Sequence, residues 1–192
     1  MGEAVSGRAL AAIIYDSLEN DTCLMPLLDT RGALTQQGSI DYCDQPPTSH
    51  EGRPVRRYEQ GWPSGFEKCV VAFGNFSRSQ FSPETVRWME NWTFRCGVWC
   101  HKTITENGVS SAGDLWAMDV HNHLVRILGW DQRRRSCDSS TDVIVMQRQL
   151  DGDVTGLTWV QDSGVWMYVS QFRWVVVSRG LVAPIADCNP CA

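Results

Sequence analysis

Hydrophobic and polar positions change rhythm once along the chain, and the change sets out its elements. Residues 8–19, Arg-Ala-Leu-Ala-Ala-Ile-Ile-Tyr-Asp-Ser-Leu-Glu, place Leu10, Ile13, Ile14 and Leu18 at helical spacing and predict one short N-terminal helix. From Asp21 to Gly65 regular spacing gives way to punctuation by Pro26, Gly32, Gly38, Pro46, Pro47, Gly52, Pro54, Gly61, Pro63 and Gly65, which reads as an irregular arm. Beyond it the period is two. Lys68 to Phe73 is a β-branched run, and from Thr93 to Ile104 Phe94, Cys96, Val98 and Cys100 alternate with Thr93, Arg95, Gly97 and Trp99. Ser82-Pro83-Glu84 carries a helix-start signature, so 83–92 reads either as a second short helix or as a strand. Asp114 to Trp130 reads as a hairpin around Asn122, and Val143 to Leu150 as a strand closed by Asp151-Gly152-Asp153. Leu157 to Val177 reads as a second hairpin, turning at Asp162-Ser163-Gly164. The expected class is all-β, a mainly antiparallel sandwich, jelly roll or barrel. Three parts are expected: residues 1–65 as helix plus arm, 66–187 as the β domain, and 188–192 as a cysteine-bearing tail.

Composition adds two signals. Eight cysteines, Cys23, Cys43, Cys69, Cys96, Cys100, Cys137, Cys188 and Cys191, are spread from end to end, as dispersed disulfides are and a zinc cassette is not. The sequons at Asn20, Asn75 and Asn91 suit a secreted glycoprotein, whereas the first 20 residues, with Arg8 as their only basic residue, read poorly as a signal peptide. The balance favours an extracellular or surface location, with a cytoplasmic protein of reduced thiols as the alternative. A net charge of −5 argues against a nucleic-acid partner, and no apolar run is long enough for a transmembrane helix. Nine tryptophans exceed what one core of this size usually absorbs. Trp99, Trp62 and Trp166 are candidates for an exposed binding surface, Trp99 because alternation turns it outward beside Arg95.

Candidate chemistry is sparse. His121-Asn122-His123 would chelate a metal if a strand put both imidazoles on one face, although solvent-facing histidines at a hairpin tip are the simpler reading, so no metal or other cofactor is expected. Cys96, Cys100, Cys188 and Cys191 would make a four-thiolate zinc site only if the strand bent, since Cys96 and Cys100 lie about 13 Å apart along it. Asp151-Gly152-Asp153 lacks the remainder of a calcium loop. Gln161-Asp162-Ser163-Gly164 resembles the segment around the nucleophile of chymotrypsin-like serine proteases, and His101 followed by Asp114 or Asp119 matches that family's chain order. The resemblance implies His101 as base, Asp114 or Asp119 as its orienting carboxylate and Ser163 as nucleophile. Gln161 and Val165 stand where that family has glycine, and Asp-Ser-Gly is also a good tight turn. The sequence therefore reads first as a cysteine-bridged module binding a glycan or protein, then as a hydrolase, then as an intracellular zinc-stabilised domain.

Overall fold

The computed structural model describes residues 5–28, 40–42, 68–80, 89–129, 143–161 and 164–178. Two α-helices and seven strands lie within them: α1 (Gly7–Glu19), β1 (Ile40–Tyr42), β2 (Cys69–Gln80), β3 (Met89–His101), β4 (Thr103–Glu106), β5 (Val109–Ala112), α2 (Gly113–Leu124), β6 (Val143–Val160) and β7 (Val165–Ser178). Five strands form one sheet in the order β1-β2-β3-β7-β6, antiparallel except for the parallel β1–β2 pair, and β4–β5 is a separate hairpin. The class is all-β and mainly antiparallel with two helices. The five-stranded sheet is open with helices on one face, the β4–β5 hairpin is a two-stranded sheet of its own, and neither a sandwich of two packed sheets nor a closed barrel is found among the described residues.

Helix α1 forms where the periodicity places it. Ser6 accepts a hydrogen bond from the Ala9 amide, and Leu10, Ile13, Ile14 and Leu18 make the buried stripe. The segment read as a hairpin around Asn122 is instead α2, followed by a π-helical turn over Val125–Gly129. The alternation of Trp116, Met118 and Val120 was the misleading signal. The residues actually buried, Gly113, Ala117, Val120, His121 and Leu124, recur at i, i+4, i+7, i+8 and i+11, which is a helical stripe. Glycine is required at the start of α2, because a Cβ on Gly113 would coincide with the carbonyl oxygen of His101. The Gly113 amide donates to the Lys102 carbonyl at 2.9 Å, so α2 starts directly against the end of β3.

Two further readings change, and one turn went unread. Residues 89–92, the end of the possible second helix, belong to β3, while 81–88 lie outside the described residues. Asp151-Gly152-Asp153 does not end a strand. Gly152, at φ 133°, sits in one of four register shifts that bend β6 without interrupting it. Asn107-Gly108, with φ of 52° and 80°, closes the β4–β5 hairpin. That dipeptide is the strongest short hairpin signal in the chain, since both central residues of a type I′ turn need positive φ. Of the arm, 29–39 and 43–67 lie outside the described residues, as do the expected boundary at 65/66 and the tail 188–192.

The register lays side chains in rows across the helix-covered face. From β2 to β6 the rows run Cys69, Cys100, Trp166, Trp159; then Val71, Val98, Tyr168; then Phe73, Cys96, Ser170, Asp153; and, beyond the bulge at Phe76, Arg78, Trp92, Trp174, Arg148. The predicted face of Phe94, Cys96, Val98 and Cys100 is thus the inner one, and all four are fully buried. Phe94 stacks on Phe172 at 5.7 Å and meets Trp174 edge-on at 5.2 Å, forming the centre of the core. On the opposite face Val70, Ala72, Trp99, Val165, Met167 and Val169 make a second, smaller cluster. Trp99 is therefore not the outward-facing indole that alternation suggested. It is 0% exposed and lies over Gly97, where a Cβ would come within 2.7 Å of its ring.

Candidate functional site

The predicted site residues scatter. Ser163, Trp62, Cys43, Cys137, Cys188 and Cys191 lie outside the described residues. His101 ends β3, and Asp114 in the first turn of α2 accepts a hydrogen bond from the Leu115 amide at 2.9 Å. Asp119 is exposed five residues further along α2, about 140° round the helix from Asp114. Asn20 caps the C-terminal end of α1 in the open, Asn75 sits half-buried at φ 54° in the β2 bulge, and Asn91 is half-buried in β3 between β2 and β7.

Cys69 and Cys100 are disulfide-bonded. They are register partners with Cα atoms 4.3 Å apart, and the His101 amide bonds to the Lys68 carbonyl just outside them, which marks a non-hydrogen-bonded pair whose side chains are closest. The bridge removes Cys100 from any thiolate set. Cys23 is exposed and Cys96 buried, both unbridged among the described residues. Burial pushes the Cys96 thiol far up, keeping it protonated and a poor nucleophile. His121 and His123, two apart on a helix rather than a strand, project about 200° apart. Among the described residues no group of three or more His, Cys, Asp or Glu side chains could hold a metal ion.

The structure does assemble a polar cluster where α2 crosses the β6–β7 hairpin. The His121 ring stacks on Tyr168, centroids 3.7 Å apart and planes 20° from parallel, and its Nε2 lies 2.7 Å from Ser170 Oγ. Ser170 Oγ donates to Asp153 Oδ1 at 2.8 Å, and the Tyr168 hydroxyl donates to Asp153 Oδ2 at 3.0 Å. These bonds decide the wiring. The serine proton is committed to the carboxylate, so the Ser170 oxygen accepts from His121 Nε2–H, and the neutral imidazole carries its proton on Nε2. A serine nucleophile needs the reverse, its proton given to the histidine and the carboxylate placed on the far ring nitrogen. Ser170 is also fully buried. The cluster holds helix to sheet.

Beside it, toward the hairpin end, Trp159 and Trp166 are cross-strand partners with rings 5.3 Å apart in an edge-to-face arrangement. Both are half-buried, and the exposed Lys102 places its ammonium 6.0 Å from the Trp159 ring centre. Tyr168 follows Trp166 on the same strand face, so an aromatic strip runs from Lys102 past Trp159 and Trp166 to Tyr168 and the exposed Asp153. The Cys69–Cys100 bridge lies in the same row as Trp166 and staples the neighbouring strands. Of this strip the sequence reading named Trp166 as a binding residue and weighed Asp153 only as part of a calcium loop; it missed Trp159, Lys102 and Tyr168, and in the polar cluster Ser170. One signal was available: along β7 Trp166, Tyr168, Phe172 and Trp174 share a face with Ser170, and a lone hydroxyl on an aromatic face must find a buried partner.

No protein-family model matches the chain, and the comparison with curated proteins finds no match.

Proposed function

We propose that this protein is a cysteine-bridged extracellular or surface β module that binds a glycan along the strip formed by Trp159, Trp166 and Tyr168. The observation that carries the reading is the half-buried Trp159–Trp166 pair, held in cross-strand register beside a disulfide and flanked by charges at both ends of the strip. Half-buried indoles on paired strands offer apolar surface to sugar rings at little cost in side-chain entropy, while Asp153 and Lys102 supply hydrogen-bonding partners for hydroxyls. An extracellular or surface setting accords with the bridge, since such bonds persist in oxidising compartments. No helix among the described residues is long and apolar enough to cross a membrane.

The test is a glycan array probed with the wild type and with Trp159→Ala and Trp166→Ala, each checked by circular dichroism, with Trp116→Phe as a control outside the strip. Loss of glycan signal in both strip variants, with the control unchanged, is the expected result. Wild-type signal in the folded double variant overturns the reading, as does a wild type that binds no glycan and instead captures a protein through the same two residues.

A further inference from the structure

The His121 cluster is a polar tie between α2 and the hairpin, and one member of it is a histidine. The remaining buried α2 contacts, Ala117, Val120 and Leu124, are apolar and non-directional. Apart from the Gly113 amide bond to Lys102 at the start of the helix, His121 is the buried α2 residue that forms a hydrogen bond to the rest of the fold, to Ser170 at 2.7 Å, and it stacks on Tyr168.

We infer that His121 is an acid-operated latch: as the neutral imidazole it locks α2 onto the β6–β7 hairpin, and on protonation it loosens the helix. The groups facing it decide the direction. From β7 come Ser170 and Tyr168, both hydroxyls engaged with Asp153, and burial together with the Asp153 bond moves the Tyr168 phenol up, so it stays neutral. From β3 comes Cys96, kept protonated by burial. From β2 the inner face presents Cys69, already bridged, with Val71 and Phe73, which carry no charge. Glu106 of the β4–β5 hairpin is paired with Lys68 at 2.7 Å. On α2 itself His123 projects elsewhere, and Asp114 and Asp119 are half-buried and exposed. Asp153 of β6 is the one charge that favours imidazolium, yet it lies 3.9 Å from Nε2 and is itself exposed.

Burial outweighs it and lowers the His121 pKa from its ordinary value of 6.5. The sign follows. A histidine with a folded pKa below its unfolded value contributes stability that is complete above 6.5 and is lost as the pH falls from there through the folded pKa. The second proton goes to Nδ1, because Nε2 already carries one, and it places a charge inside a packed interface.

The inference does not depend on glycan binding, and its test reads α2 alone. Hydrogen–deuterium exchange on the full chain between pH 7.5 and 5, expressed as protection factors, should show α2 losing protection relative to α1, by about tenfold for each unit separating folded and unfolded pKa. His121→Gln keeps a donor for Ser170 but cannot titrate, so its α2/α1 ratio should be flat with pH, whereas His123→Gln should behave as wild type. A flat wild-type ratio overturns the inference, and so does a pH-dependent ratio in folded His121→Gln. Should that variant not fold, the His121 ring signal of the wild type decides by NMR: a midpoint below 6.5 supports the latch and one at or above 6.5 overturns it.

Discussion

Two rows on the helix-covered face of the same sheet each hold a pair of tryptophans in register, and they differ in everything that decides what a tryptophan is for. In one row Trp92 and Trp174 lie between Arg78 and Arg148. Both indole N–H groups there have buried partners, Trp92 with Glu90 at 2.8 Å and Trp174 with the Leu128 carbonyl at 2.7 Å, and the Arg148 guanidinium lies 4.6 Å from the Trp174 ring centre. In the other row Trp166 and Trp159 stand beside the Cys69–Cys100 bridge, half-buried, with the exposed Lys102 as neighbour. The two indoles of the first row have their N–H groups met and their rings covered. The second keeps ring surface for something else. A high tryptophan count cannot separate these roles; cover and N–H partners can.

The largest effect expected is the one that breaks the first row. Trp174→Ala should cost about 3–5 kcal/mol, the range for deleting a fully buried aromatic, with the Leu128 carbonyl losing its donor as well. Trp166→Ala should cost less, about 1–2 kcal/mol, since its ring is only partly buried, and should act on the proposed glycan binding instead. Urea unfolding of the two variants tests the contrast, and equal losses of stability would erase it.

Next in size is the bridge in the second row. Replacing both Cys69 and Cys100 by Ala should lower stability by about 3–4 kcal/mol, from the chain entropy of a link spanning 31 residues. Because the link joins β2 to β3 in the row of Trp166 and far from Trp174, the double variant should lose β2–β3 amide protection at that end first, read by hydrogen exchange.

How much of this was legible in the sequence depended on whether one period won locally. Helix α1 was, because its four apolar positions fit a helix and nothing else. The inner face of β3 was, because alternation runs unbroken from Phe94 to Cys100. Helix α2 was not: Trp116, Met118 and Val120 also satisfy a strand, and the deciding fact, Gly113 pressed against the His101 carbonyl, is a tertiary contact. Trp99 misled for a related reason. Alternation correctly put it on the face opposite Cys100, but that face is also buried here, and Gly97 is the residue that lets the indole lie flat. The His121 cluster joins residues 121, 153, 168 and 170, and no local pattern announces a site whose parts meet only after folding. Gly97→Ala is the corresponding experiment. It should cost about 1–3 kcal/mol by overpacking against Trp99 and Val169, with a shifted tryptophan fluorescence, while the glycan binding proposed for the aromatic strip on the other face should be unchanged.

The smallest effects sharpen the comparison within the first row, whose two arginines look equivalent in sequence and are not. Arg148 is buried, and its Nη1 donates to the Ile127 carbonyl at 2.9 Å, so it closes the end of the π-helical turn while covering Trp174. Arg78 has a side chain 38% exposed, stands 3.7 Å from Glu90 and lies 5.9 Å from the Trp92 ring. Arg148→Met keeps the length and apolar stem of the side chain but leaves a carbonyl without its donor, which predicts a loss of about 1–3 kcal/mol. Arg78→Met removes a solvent-screened pair and should cost less than about 1 kcal/mol, with Glu90 still bonded to the Trp92 indole and the Val5 amide. Measured side by side by thermal unfolding, the two values separate covering a tryptophan from merely neighbouring one. If Arg78→Met proved the costlier change, the cation that matters to this row would be the one at its exposed end, and the distinction between the covered row and the open one would have to rest on the N–H partners alone.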